Sequence, residues 1–108
     1  MSHKILIADE AARDFEDIYQ YIARIDSAAK ADHVLTTLEE ACLRLAADMP
    51  DRGNIPKELA GIGITDYREV HFKPYRVIYR TMENTVVVYC VVDGRRDMRS
   101  FLERRLLR

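Results

Sequence analysis

The chain has 108 residues, of which 48% are apolar and 32% charged, a composition typical of one globular domain over residues 1–108. The net charge of −1 argues against a generic nucleic-acid-binding protein. Because no apolar run approaches the roughly 20 residues of a spanning helix, and no secretion signal or metal spacing is visible, the sequence predicts a cytoplasmic protein without membrane association, metal or cofactor.

The first half of the chain predicts one short strand followed by two helices. Residues 3–8 (HKILIA) have the apolar, β-branched content of a strand. Apolar positions then recur every three or four residues, first from a predicted N-cap at Asp9 and then from one at Ser27. Pro50 is expected to end the second helix. Two amphipathic helices with a short link predict an αα-hairpin.

The second half predicts a loop with a helical turn at 57–60, three strands and a basic tail that could be helical. The strands are expected at residues 67–72, 75–82 and 85–92. The last strand is apolar on both faces and should therefore be central and covered on both sides. The predicted fold class is α+β in the order β-α-α-β-β-β, an antiparallel sheet with a two-helix hairpin packed on one face and a basic C-terminal segment.

The basic residues concentrate in this second half. Residues 1–54 carry 6 Lys/Arg against 11 Asp/Glu, whereas residues 55–108 carry 11 against 7. Alternation along the strands suggests that Arg68, Arg76 and Arg80 project together from the face that the helices leave uncovered, beside Arg95 and Arg96. Such a cluster predicts a surface for an anion or an acidic protein. The alternative is a solvated sheet face with paired charges.

The histidines and cysteines carry weaker signals. The three histidines lie on different predicted elements, and His71 is expected to point away from the arginines. Cys42 and Cys90 lie at apolar positions and are predicted to be buried core thiols.

The order of motifs resembles the RelE/ParE superfamily of bacterial toxins. The matching stretches are YRE at 67–69, YRVIYR at 75–80, VVVYCVVDGRRD at 86–97, ADEAARDFEDIYQYI at 8–22 and MPDRG at 49–53. The resemblance implies an antiparallel sheet with two helices on one face and a concave basic face opposite. It also implies that the protein is the toxin of a type II toxin–antitoxin module and that a cognate antitoxin neutralises it. The toxin would bind operator DNA only indirectly, through that antitoxin.

The superfamily contains two activities. RelE-type toxins cut mRNA on the ribosome, and the resemblance places their functional cations at Arg68, Arg76 and Arg96. Val70 stands where a second lysine is expected, and Phe101 is the aromatic residue nearest the expected tyrosine, so a cation and a hydroxyl are missing. ParE-type toxins poison DNA gyrase by binding, without catalytic residues of their own. Gyrase poisoning is therefore favoured, with mRNA cleavage and a non-toxic interaction module as alternatives.

The resemblance and the strand pattern together nominate four target-binding residues, Arg68, Arg76, Arg95 and Arg96. Under the nuclease alternative, Arg76 and Arg96 would be catalytic. A structural role for Arg76 is the other possibility, in which it ties the C-terminal tail through Asp93 or Asp97.

Overall fold

The computed structural model describes residues 3–47 and 53–107, and the predicted end of the second helix at Pro50 lies outside them. The elements follow the predicted α+β order, with the expected helical turn and C-terminal helix. They are β1 (Lys4–Ile7), α1 (Asp9–Ile25), α2 (Ala28–Ala47), α3 (Lys57–Ala60), β2 (Arg68–Phe72), β3 (Tyr75–Met82), β4 (Thr85–Asp93) and α4 (Met98–Leu106). Within the described ranges, no helix has both the length and the apolar character needed to span a membrane.

The four strands form one sheet in the order β1-β4-β3-β2. β2, β3 and β4 are antiparallel, as predicted, but β1 pairs with β4 in parallel, so the sheet is mixed. The parallel pairing arises because the chain crosses over through the α1–α2 hairpin before it returns to the sheet. β4 is central and largely buried on both faces, which confirms the prediction from its apolar run.

Two apolar clusters lie on opposite faces of the sheet. The α1–α2 hairpin covers the larger cluster, whose members are Ala11, Leu38, Cys42, Leu45, Val77, Tyr79, Val86, Val88 and Val91. α3 and α4 cover the other face with Leu59, Ile78, Cys90, Val92, Met98, Phe101 and Leu102. The face expected to be open and basic is therefore covered, because the apolar side of α4 buries its surface there.

The helix caps agree with prediction at one of the two positions. The Ser27 hydroxyl accepts a hydrogen bond from the Lys30 backbone N–H at 3.1 Å, as expected for an N-cap. Asp9, in contrast, is the first residue of α1, and Ala8 occupies the N-cap position without a side-chain bond. The Asp9 carboxylate still lies in the first turn, where negative charge is favoured by the helix dipole.

Candidate functional site

The strand register places the predicted arginines on different faces. Arg68 is opposite Tyr79, on the face that packs against α1 and α2, whereas Arg76 is opposite His71 on the other face. Directly opposed residues of antiparallel strands share a face. The prediction that Arg68 and Arg76 project together is therefore wrong, and His71 lies beside Arg76 rather than away from it. The signal that could have shown this is the two-residue connection at 73–74, which fixes the register.

Arg76 is the centre of a buried ion-pair network. It is 8% exposed. Its Nε donates to Glu69 Oε1 at 2.6 Å, and its two terminal nitrogens donate to the two Glu58 carboxylate oxygens at 2.8 and 3.0 Å. The Arg76 hydrogen bonds hold the pKa of the Glu58 carboxyl below its usual range. The network ties α3 to the sheet, so the predicted partners Asp93 and Asp97 are not those that the structure shows.

The turn after β4 is shaped around the Arg76 side chain. A Cβ atom at Gly94 would lie 2.9 Å from Arg76 Cδ and 3.4 Å from the Pro74 carbonyl oxygen. The Gly94 N–H also donates to that carbonyl at 2.8 Å. A larger residue at position 94 would therefore have to displace the Arg76 side chain, which Glu58 and Glu69 hold in place.

Arg68 fastens the loop that approaches the sheet. Its Nη1 donates to the Gly53 carbonyl at 2.8 Å, and the Gly53 N–H donates to the buried Tyr79 hydroxyl at 3.0 Å. Asn54 continues the connection through backbone hydrogen bonds with Glu69. The Arg68 guanidinium thus has a structural partner on the α1–α2 side of the sheet.

Arg95 and Arg96 are the exposed members of the predicted set. The Arg95 side chain is 79% exposed and pairs with Asp93, with 2.6 Å between Nη2 and Oδ2. These Arg95 hydrogen bonds lower the pKa of the Asp93 carboxyl. The Arg96 guanidinium lies 4.9 Å from the centre of the Phe101 ring, within cation–π range. Of the four predicted arginines, these two are accessible to a macromolecular partner.

Sequence reasoning missed a largely buried ion pair between Asp14 and Arg105, whose side chains are 12% and 14% exposed. Arg105 Nη2 donates to Asp14 Oδ1 at 2.7 Å, and Nη1 donates to the Tyr89 carbonyl at 3.1 Å. Asp14 Oδ2 also accepts the Val91 N–H at 3.0 Å. The β1 pairing ends at Val88, so these side chains satisfy the part of the β4 edge that has no strand beside it.

Both cysteines are buried, which confirms their predicted place in the core. Burial raises the pKa of Cys42 to about 11 and that of Cys90 to about 12. A thiol nucleophile reacts as the thiolate, which this burial disfavours.

An apolar groove of about 790 Å³ lies where β1, α1 and α2 meet. Its lining includes Ile5, Ile7, Phe15, Leu35, Leu43, Glu16 and Glu39. The Leu43 side chain remains 58% exposed. An apolar floor beside two carboxylates suits an amphipathic partner segment that carries basic residues.

Known proteins are similar to this chain in sequence and in fold. Residues 5–98 match the family described as the ParE toxin of the type II toxin–antitoxin system parDE. No curated protein matches the sequence. A solved chain from the chromosomal ParDE system of P. aeruginosa has a TM-score of 0.72 at 14% identity, covering 85% of this chain and 96% of its own.

Two further solved structures share the fold at lower similarity. The RelBE2 toxin–antitoxin complex of Mycobacterium tuberculosis includes a chain with a TM-score of 0.63 at 16% identity, covering 86% of this chain and 92% of that one. A free-state mutant of the E. coli toxin RelE also has a TM-score of 0.63, at 14% identity. The match covers 98% of this chain and 100% of the RelE chain. These structures establish the RelE/ParE toxin fold. Because the family match spans most of the sequence, the chain belongs to the ParE toxin family of type II toxin–antitoxin systems.

Proposed function

We propose that this protein arrests growth by poisoning DNA gyrase and that a cognate antitoxin neutralises it. The observation that carries the proposal is the ParE family match over residues 5–98. The similar fold of a chain from the P. aeruginosa ParDE system supports the same assignment.

The arrangement of the arginines favours binding over RNA cleavage. A ribonuclease of the RelE type needs cations that face the reacting phosphate. Arg76 is instead held by Glu58 and Glu69 and is 8% exposed. Arg68 lies on the opposite sheet face, bonded to the Gly53 carbonyl. A toxin that acts by binding requires neither arginine to reach a phosphate.

The proposed target-binding surface is the basic turn and helix that follow β4. Arg95 and Arg96 are exposed there, together with Arg99 and Arg104 of α4. A local basic surface of this kind suits an acidic protein surface or a protein–DNA complex. Arg76 is assigned to the support of this surface, through α3 and the Gly94 turn, and Arg68 to the loop at Gly53, rather than to direct contact.

Induction of the protein alone in a bacterium tests the proposed target. We expect growth arrest with DNA breaks and altered plasmid supercoiling, while transcripts stay intact. Codon-positioned mRNA cuts with intact DNA would instead establish the ribosome-dependent alternative. Normal growth at good expression would establish a non-toxic interaction module.

Charge reversal at Arg96 should abolish toxicity without unfolding the protein. The side chain is exposed and has no carboxylate partner within the described residues, so Arg96→Glu is expected to change stability by less than about 1 kcal/mol. The measurements are the rate of colony formation after induction and the thermal unfolding midpoint. Arg13→Glu, a charge reversal at a residue of α1 that is also exposed, is the matched control and should remain toxic. A folded, fully toxic Arg96→Glu protein would remove Arg96 from the target-binding surface.

The antitoxin is proposed to cover the apolar groove between β1, α1 and α2. Burial of this groove by apolar side chains would provide affinity, and Glu16 and Glu39 would pair with basic residues of the antitoxin. The groove itself carries negative charge, so an antitoxin segment that binds there needs basic rather than acidic residues beside its apolar ones.

Leu43→Glu should weaken antitoxin binding while leaving toxicity intact. Leu43 is already 58% exposed, so the substitution costs little folding energy, yet it places a third carboxylate in the groove. We expect an affinity loss of about tenfold or more, measured by calorimetry on the purified pair. Ile62→Glu, at a residue 52% exposed and outside the groove, is the control. Equal affinities for both variants and the unaltered toxin would place the antitoxin elsewhere.

A further inference from the structure

A second, charged cavity lies beside the buried arginine network. It has a volume of about 350 Å³ and opens between the start of α3 and the turn that joins β2 to β3. Its titratable lining residues are Lys57, Glu69, His71, Lys73, Tyr75 and Arg76, and Ile55 and Pro74 contribute apolar walls. Of these residues, only Arg76 was among those nominated from the sequence.

The floor of this cavity is buried and already paired. Glu69 is 7% exposed, and its Oε1 accepts the Arg76 Nε–H at 2.6 Å. Its other oxygen, Oε2, lies 3.2 Å from His71 Nε2. Glu58 binds the far side of the Arg76 guanidinium. Each carboxylate is therefore engaged with a cationic or hydrogen-bonding neighbour below the rim.

The rim of the cavity carries the unpaired positive charge. Lys57, His71 and Lys73 are exposed, and neither lysine forms an ion pair with any residue in the described parts of the chain. The lining holds three permanent cations, Lys57, Lys73 and Arg76, against the single carboxylate of Glu69. Glu58, behind Arg76, reduces the excess from two charges to one.

We propose that this cavity binds a phosphate group. The ammonium groups of Lys57 and Lys73 donate to its oxygens, as lysine does in many phosphate sites. His71, held by Glu69 with 3.2 Å between Nε2 and Oε2, adds an imidazole to the rim beside the two lysines. The ligand class is a phosphodiester, as in a nucleic-acid backbone, or a terminal phosphate. The proposal holds whether the toxin acts on gyrase or on another target.

Titration of the isotope-labelled full-length protein with sulfate, followed by NMR, tests this site. We expect saturable shifts at the lining residues. Lys57→Gln and Lys73→Gln should each weaken binding about threefold, as expected for exposed charge pairs. Lys4→Gln, on the opposite edge of the sheet, is the matched control and should bind normally.

A competition experiment completes the test. Dimethyl phosphate that competes with sulfate would identify a diester as the ligand, and its failure to compete would identify a terminal phosphate. The proposal is overturned if the shifts do not saturate, if they centre on Arg95 and Arg96, or if the Lys57→Gln, Lys73→Gln double variant binds sulfate normally.

Discussion

Replacing Arg76 with alanine is expected to lower the free energy of unfolding by about 3–5 kcal/mol, because removal of one partner leaves buried carboxylates without their counter-charge. Glu58 and Glu69 would both lose their guanidinium partner, and their side chains are only 14% and 7% exposed. Chemical denaturation followed by circular dichroism measures the change. A loss below about 1 kcal/mol would mean that the network is not the support of α3 inferred from its hydrogen bonds.

Arg80→Ala is the matched control for this prediction. Arg80 lies on the same strand and the same face as Arg76, but its side chain is 39% exposed and its nearest carboxylate oxygen, on Asp66, is 4.0 Å away. An exposed pair of this kind contributes about 0–1 kcal/mol. The contrast between the two variants therefore isolates burial of the ion pair from loss of positive charge.

The stability difference between the unaltered protein and Arg76→Ala should also shrink at low pH. The folded-state pKa of Glu58 lies below its ordinary value of 4.5, because Arg76 hydrogen-bonds the ionised carboxylate. A lowered folded-state pKa contributes stability above the unfolded-state pKa and loses it as the pH falls through the folded-state value. Denaturation midpoints measured from pH 7 down to about pH 3 should therefore converge, whereas a constant difference would contradict this coupling.

The second large effect is expected for Asp14→Ala, which should destabilise the protein by about 3 kcal/mol. The substitution removes the nearest carboxylate from the Arg105 guanidinium, whose side chain is 14% exposed. It leaves the more exposed Glu10, whose Oε2 lies 3.3 Å from Arg105 Nε. It also removes the acceptor of the Val91 N–H. Amide hydrogen exchange should therefore accelerate at Val91 more than at Val86, which lies in the part of β4 paired with β1.

Asp17→Ala provides the control on the same helix. Asp17 is exposed, so its loss should change stability by less than about 0.5 kcal/mol. Asp14→Asn should fall between the two, because the amide oxygen can still accept a hydrogen bond but carries no charge. Equal stabilities for the two alanine variants would show that Asp14 does no more than complement the helix dipole.

The secondary structure was largely predictable because its signals are local. Helical spacing of apolar residues, the Ser27 cap and the apolar run of β4 each depend on a few neighbouring residues, and all three predictions are confirmed. The exposed position of Arg95 and Arg96 after β4 follows in the same way, since the Asp-Gly pair at 93–94 ends the strand.

The candidate site was predicted less well because its geometry depends on strand register. Alternation shows which residues of one strand share a face, but not which face of the next strand they join. The register pairs Arg76 with His71 and Arg68 with Tyr79, which separates two arginines that the pattern had grouped. The pairing of β3 with β4 also shifts between Ile78 and Tyr79, so Tyr89 is left out of the register. The Tyr89 carbonyl instead accepts a hydrogen bond from Arg105.

The sequence by itself determined the order of elements, the burial of β4 and the concentration of positive charge in the second half of the chain, because these follow from composition and periodicity. Tertiary structure alone decided how that charge is used. It buries Arg76 between two carboxylates from separate elements, closes the second sheet face with α4, and leaves Arg95 and Arg96 exposed. The reason is that a buried guanidinium is stable only where partners distant in sequence converge on it, and sequence spacing does not encode that convergence.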